Sequence, residues 1–84
     1  YKVIKMSETK LLVDVVCVHY KSGHIKPIQI VWENGIHYNV DKVLKIEQRA
    51  SLKSGGSGLR YTCLIHGQQR YLYLQDDNSW FIEK

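Results

Sequence analysis

Residues 25–40 read IKPIQIVWENGIHYNV, and this stretch predicts two short strands joined by a tight turn. Apolar side chains stand at every second position on both sides of the turn: Ile28, Ile30 and Trp32, then Ile36, Tyr38 and Val40. A period of two places these side chains on one face of a strand. Asn34-Gly35 lies between the runs, and both residue types tolerate the positive φ of a type I′ turn. The stretch therefore predicts an antiparallel hairpin, with Pro27 near the strand start or at an edge, where no ladder N–H is needed.

Strand patterns continue on both sides of this hairpin. A run rich in β-branched residues at 10–20 predicts the first strand, and the residues 21–24 predict the turn after it. A flexible loop rich in Ser and Gly is predicted at 53–58. Further strands are predicted at 59–66, 70–75 and 80–83, joined by turns at Gly67-Gln68 and at 76–79.

The segment 43–52 allows two interpretations. Its alternation fits a strand with Lys45, Glu47 and Arg49 on the outer face. Asp41 can instead cap one helical turn that ends at Leu44, since its carboxylate can accept N–H bonds from two or three residues further on. We favour a brief turn followed by a strand.

These elements predict an all-β domain, because no segment shows a sustained period of 3.6. Six or seven short strands joined by tight turns pair antiparallel with their neighbours in sequence. Such a meander rolls into a small SH3-like barrel or a highly curved sheet, which hides the strand edges. The 84 residues are expected to form one domain, 1–84, with little room for a deep substrate cleft.

Composition indicates a folded protein of the cytoplasm. Apolar residues make up 44% and charged residues 24% of the chain, which argues against disorder. No apolar run approaches the roughly 20 residues that span a bilayer, so no membrane association is predicted, and no signal peptide is recognised. The two cysteines, Cys17 and Cys63, lie in apolar runs, and secreted domains this small usually carry more. We interpret them as reduced core thiols; pairing across neighbouring strands is the less favoured alternative.

From residue 27 onward the chain resembles a family of small uncharacterised bacterial domains. The features that carry the resemblance are structural residues and turns: Ile30-Val31-Trp32, Gly35, Tyr38, Val40, Val43-Leu44, Arg60-Tyr61, Gly67, Leu72-Tyr73-Leu74, Asp76-Asp77 and Trp80. The first strand lies outside the resemblance, and the Ser/Gly loop departs from the family, which carries aromatic residues there. The family has no established activity. Some of its members are encoded near DNA-repair polymerases, so the resemblance slightly favours DNA as a partner.

No catalytic residue, metal site or cofactor is predicted. None of the four histidines, His19, His24, His37 and His66, has a His or Cys at a metal-ligand spacing. The Ser-rich segment 51–57 predicts a flexible loop, whereas a nucleophile needs a base fixed within hydrogen-bond reach. We therefore expect a protein that is not an enzyme.

One set of residues indicates a binding surface. Cations and tyrosines recur along segments that are expected to be neighbouring strands or their loop: Lys45, Arg49, Lys53, Arg60, Arg70, Tyr71 and Tyr73. Small barrels that bind nucleic acid use cations to neutralise phosphates and rings to stack on bases. The structural alternative is that tyrosines are common strand formers and that scattered arginines keep a strand face soluble. Alternation places Arg60 outward and Tyr61 inward, and both Trp32 and Trp80 are expected to pack in the core.

The sequence thus predicts a non-catalytic binding module. The net charge of +4 permits nucleic-acid binding through the basic and aromatic face without demanding it. The alternative is protein–protein interaction through an edge strand or an aromatic groove. The oligomeric state is left open by the sequence.

Overall fold

Each strand of the computed structural model pairs antiparallel with the strand that precedes it in sequence, and the last strand pairs with the first. The structure describes residues 10–50 and 57–83, and of Lys10, Arg49, Ala50 and Ser57 only the backbone. Its strands are β1 (Lys10–His19), β2 (Ile25–Val31), β3 (His37–Ala50), β4 (Ser57–Ile65), β5 (Gln68–Gln75) and β6 (Trp80–Glu83). They form a closed antiparallel barrel in the order β1-β2-β3-β4-β5-β6. The all-β prediction is therefore confirmed, with six strands.

β3 is a single long strand, so the predicted turn or helical cap near Asp41 was wrong. Its ladder with β4 passes over Asp41 and Leu44, which have no opposite residue and form two bulges. Each bulge adds a residue and bends the strand without ending it. The Asp41 carboxylate accepts the backbone N–H of His66, with 3.2 Å between the two atoms, and thus contacts the β4–β5 turn instead of capping a helix.

A third bulge shifts the register of β2. Val16 lies opposite Gln29 and Cys17 lies opposite Pro27, so Ile28 has no opposite residue. Pro27 is consequently buried, whereas Ile28, which the simple alternation placed on the same face as Ile30, is exposed. Pro27 is the third residue of β2 and sits beside the bulge, as expected for a residue without an N–H to donate.

The hairpin at Asn34-Gly35 is confirmed, but its predicted type I′ turn is wrong. Gly35 has a φ of 83°, whereas Asn34 is not among the residues with positive φ. The backbone N–H of Trp32 donates to the carbonyl of Ile36, and a three-residue loop lies between them. Both central residues have positive φ, as a type I′ turn requires, in the β4–β5 hairpin at His66-Gly67.

The core lies inside the barrel and contains part of the set that alternation predicts: Ile30 is buried, whereas Ile28 and Ile36, predicted on the same face, are exposed. Its buried residues are Ile30, Tyr61, Cys63, Ile65, Leu72, Leu74, Trp80 and Ile82. The hydroxyl of Tyr61 donates to the carbonyl of Ile25 over 2.6 Å, which satisfies the polar end of a buried ring. Trp80 is in the core as expected, but Trp32 is only half-buried. Both cysteines are free thiols, and they lie on β1 and β4, which are not neighbours in the barrel.

β1 and β2 are each paired with a neighbouring strand over only part of their length, which leaves a gap in the wall of the closed barrel. β1 pairs with β6 only over residues 10–13, and then with β2 over 14–19. β2 in turn pairs with β3 only over 29–31. The functional candidates lie at a barrel mouth and at the gap between β1 and β6.

Candidate functional site

The residues of the predicted basic and aromatic face lie on two different faces of the barrel wall. Arg60 lies opposite Tyr73 in the β4–β5 ladder, and Thr62 lies opposite Tyr71, so these side chains share the outer face. Arg70 lies opposite the core residue Cys63, which places it on the inner face at a barrel mouth. Adjacent residues of a strand point to opposite faces, so Arg70 and Tyr71 cannot share one surface. Lys53 lies outside the described residues, and for Arg49 only the backbone is described.

The cations on the outer face are partly neutralised by a carboxylate. One Glu47 oxygen lies 2.8 Å from the Arg60 guanidinium, and the other lies 3.4 Å from the Lys45 ammonium. The hydrogen bond from Arg60 and the nearby charges lower the pKa of the Glu47 carboxyl to about 2, against a smaller opposing effect of burial. The Arg60 guanidinium also lies over the Tyr71 ring, 4.5 Å from its centroid. Arg60 is thus held by its own neighbours, which weakens its attraction for phosphate.

Tyr73 is not available to stack on a base. Its ring lies parallel to the Phe81 ring, with centroids 4.6 Å apart, and only 2% of the residue is exposed. Its hydroxyl donates to the Glu83 carboxylate over 3.0 Å. Tyr73 and Phe81 therefore form a second, smaller buried layer on the outer face, a role that sequence reasoning did not identify.

A different cluster of rings surrounds an inner pocket at the barrel mouth, which we call the mouth pocket. It has a volume of about 290 Å3 and is lined by Ile30, Trp32, Tyr38, Ile65, His66, Gln68, Arg70 and Ile82. The three isoleucines contribute apolar surface, and Gln68 and Arg70 contribute polar groups. Pockets of this composition, mostly apolar with a few convergent polar groups, are typical of ligand sites.

The rings of the mouth pocket contact one another. The Trp32 and Tyr38 rings meet edge to face with centroids 6.2 Å apart, and the His66 ring lies 5.7 Å from that of Tyr38. Trp32 and Tyr38 are half-buried, whereas His66 is exposed. Each of the three residues therefore has a ring contact and an accessible surface, so that its ring can stack on a ligand.

Arg70 supplies the cation of the mouth pocket. Its guanidinium donates to the side-chain oxygen of Gln68 over 3.0 Å, and no carboxylate pairs with it in the part of the chain that the structure describes. It is exposed, in contrast to Arg60. Arg70 is thus the member of the predicted set that is placed to meet an anionic ligand beside accessible rings.

Sequence reasoning identified Arg70 but missed Trp32, Tyr38 and His66 as site residues. Trp32 and Tyr38 flank the β2–β3 turn, and Tyr38 lies opposite Ile30 in the ladder. His66 occupies the β4–β5 turn, 28 positions beyond Tyr38 in the numbering. The available signal was the pair of aromatic residues around one hairpin turn, since such residues lie close to a barrel end.

A larger cleft of about 700 Å3 opens where β1 leaves β6. Val13, Val15, Leu74 and Trp80 contribute apolar surface to it, and Asp14 and Glu33 are its acidic lining residues. Cys17 and His19 also line it, and the Cys17 sulfur lies 3.5 Å from the His19 Nε2.

The remaining chemistry-bearing groups do not converge. Within residues 10–50 and 57–83, no three His, Cys, Asp or Glu side chains are grouped so that they could hold a metal ion. The same residues contain no helix long and apolar enough to cross a membrane.

Comparison with known proteins yields no relative from which a function can be transferred. No protein-family model, curated protein or solved structure matches this chain.

Proposed function

We propose that this protein is a non-catalytic binding module that holds single-stranded nucleic acid at the mouth pocket. In this proposal one base stacks among Trp32, Tyr38 and His66, and a neighbouring phosphate contacts Arg70. The observation that carries the proposal is the exposed guanidinium of Arg70, which has no carboxylate partner among the described residues, beside accessible aromatic rings. Stacking rings combined with cations are the usual means of binding single strands.

The dimensions of the pocket favour one inserted base. Its volume of about 290 Å3 is at the lower end of the roughly 300–1,000 Å3 of typical ligand pockets. A paired base cannot enter without leaving its duplex, so single strands are the preferred ligand. Stacking of one base contributes about 1–3 kcal/mol, and each neutralised phosphate releases about one counterion. The proposal therefore predicts weak binding that depends on salt, supported by the chain's net charge of +4.

The outer face is the weaker candidate for the same partner. Glu47 offsets the charges of Lys45 and Arg60, and Tyr73 is buried against Phe81. Tyr71 stays half-buried beneath the Arg60 guanidinium. We therefore place the primary contact at the mouth pocket and not at the outer face.

Fluorescence-anisotropy titration against labelled single- and double-stranded DNA and RNA, at low and physiological salt, tests this function. We expect micromolar binding of single strands that weakens with salt. Arg70→Gln should reduce the salt slope by about one, and Tyr38→Leu should weaken binding by about 1–3 kcal/mol.

Lys26→Gln is the matched control, because Lys26 is exposed on β2 and does not line the mouth pocket. It removes one positive charge, as Arg70→Gln does, and should leave most of the affinity intact. The proposal would be contradicted if Arg70→Gln and Tyr38→Leu bind nucleic acid as strongly as the native chain does. It would also be contradicted if the native chain does not bind at low salt.

The setting of this function is also proposed. The resemblance to small bacterial domains and the two free thiols support a role in the bacterial cytoplasm. The small closed antiparallel barrel and its tight turns support a relationship to SH3-like barrels.

A further inference from the structure

The part of β1 beyond Val13 has a strand neighbour on one side only. The last pair between β1 and β6 is Val13 with Trp80, whereas β2 accompanies β1 from Asp14 to His19. Among the residues that the structure describes, no strand pairs with the other edge of Asp14–His19. An edge of this kind presents backbone N–H and C=O groups that can pair with another chain.

The cleft of about 700 Å3 lies against this edge. Asp14, Val15, Cys17 and His19 all line it, and Trp80, where the ladder with β6 ends, lines its other side. The cleft therefore gives an additional strand access to the backbone of β1. Its apolar surface, which includes Val15 and Trp80, can receive alternate side chains of that strand.

The charges of the cleft identify the kind of strand that fits. Asp14 and Glu33 are exposed and line the cleft, and no Lys or Arg is among the described residues that do so. The chain as a whole is basic, so this acidic lining is a local departure from its net charge of +4. Carboxylates favour a cationic ligand and disfavour nucleic acid.

We propose that the edge Asp14–His19 binds an extended, basic segment of a partner protein by strand addition. Backbone hydrogen bonds to β1 hold the segment, its apolar side chains enter the cleft, and its Lys or Arg side chains meet Asp14 and Glu33. This surface shares Trp32 with the mouth pocket, whereas the other proposed base-binding residues, Tyr38, His66 and Arg70, do not line the cleft. A second copy of the chain is a poorer occupant, because edge-to-edge pairing brings two sets of the same carboxylates together.

NMR titration of the 15N-labelled full chain with synthetic peptides tests the proposal. The probe is a ten-residue peptide that alternates Lys and Val, and its matched control carries Glu in place of Lys. A second control is the Lys peptide with N-methyl groups on its central residues, which blocks backbone pairing. We expect shifted and exchange-protected amides within 14–19 with the Lys peptide, affinity about tenfold or more lower for the Glu peptide, and no binding of the methylated peptide.

Variants of the chain then test the charge argument. Combining Asp14→Asn with Glu33→Gln should weaken the Lys peptide about tenfold, since two attractive carboxylates are lost. Asp76→Asn is the control, because Asp76 is exposed in the β5–β6 turn and does not line the cleft. It should leave the affinity unchanged.

Four outcomes of the peptide titration would overturn the proposal. They are equal binding of the Lys and Glu peptides, retained binding of the methylated peptide, no binding at millimolar peptide, and amide shifts confined to the mouth-pocket residues Tyr38, His66 and Arg70. A further result would overturn it without any peptide present. If the amides of residues 14–19 become more protected from exchange as the concentration of the chain rises, the occupant of the edge is a second copy of the chain. None of these results bears on nucleic-acid binding by Arg70, so the two proposals fail independently.

Discussion

Glu47 accepts a hydrogen bond from Arg60 across the β3–β4 ladder, with 2.8 Å between the carboxylate oxygen and the guanidinium nitrogen. The two residues lie directly opposite each other on the outer face, and both side chains are 19% exposed. This ion pair neutralises one of the arginines that the sequence indicated as phosphate ligands. It has consequences for the pH dependence of stability.

The Glu47–Arg60 pair should make folding stability sensitive to acid. The folded-state pKa of Glu47 is lowered from an ordinary 4.5 to about 2, so its contribution is present above pH 4.5 and is lost as pH falls toward 2. We expect the difference in free energy of unfolding between the native chain and Glu47→Gln to shrink between pH 6 and pH 2.5, as measured by urea unfolding. Glu33→Gln is the control, since Glu33 is exposed in a turn. A difference that stays constant with pH would contradict the prediction.

The stacked pair Tyr73–Phe81 should be a structural layer and not a ligand site. Phe81→Ala should destabilise the chain by about 3–5 kcal/mol, because it removes a fully buried ring. Tyr73→Phe keeps the ring and removes the hydroxyl that donates to Glu83, and it should cost about 0.5–1.5 kcal/mol. Leu12→Ala, at a residue that is 63% exposed, should change stability by less than about 0.5 kcal/mol.

Thermal and urea unfolding of these three variants check the order of effects. Tyr73→Phe should also bind single-stranded nucleic acid as the native chain does. If Tyr73→Phe loses nucleic-acid binding with little loss of stability, Tyr73 belongs to the binding surface and the prediction is wrong.

The sequence predicted the strands well and their bulges not at all. Alternation placed Tyr61 in the core, because a period of two marks one face of a strand, and the packing of Trp80 was expected from the bulk of its ring. A bulge adds one residue of ordinary composition, so Asp41 and Leu44 gave no signal that β3 continues past them.

The candidate site was predicted less completely than the fold, because it depends on contacts between distant strands. Arg70 was singled out, but its neighbours His66 and Tyr38 meet only after β3, β4 and β5 have paired. The error of grouping Arg70 with Tyr71 was avoidable, since adjacent strand residues face opposite sides. The burial of Tyr73 was not visible locally, because Phe81 reaches it from another strand.

Gly58 should be the glycine least tolerant of substitution among those described. Its φ of 139° disfavours other residues, and a Cβ at this position would overlap the carbonyl oxygen of Leu74 in β5. Gly58→Ala therefore requires the β4–β5 ladder to shift, and we expect it to unfold or strongly destabilise the barrel. Gly35→Ala, where φ is also positive but the space is open, should cost only about 1–2 kcal/mol.

The thermal midpoints of the two glycine variants, compared by circular dichroism, measure this difference. Gly35→Asn is a further control, because Asn78 has a similar positive φ of 69° in the β5–β6 turn. Gly35→Asn should leave the thermal midpoint nearly unchanged. Equal midpoints for Gly58→Ala and Gly35→Ala would show that close packing against Leu74 does not constrain Gly58.

The two free thiols should differ sharply in reactivity. Cys63 is fully buried, and burial raises its pKa to about 11, so little thiolate forms at pH 8. Cys17 lines the open cleft, with its sulfur 3.5 Å from the Nε2 of His19, and is only half-buried. Iodoacetamide at pH 8 should therefore alkylate Cys17 first, with Cys63 modified only after unfolding. Mass spectrometry of Cys17→Ser and Cys63→Ser assigns the site. If both thiols react equally fast in the folded chain, Cys63 is not held in a closed core.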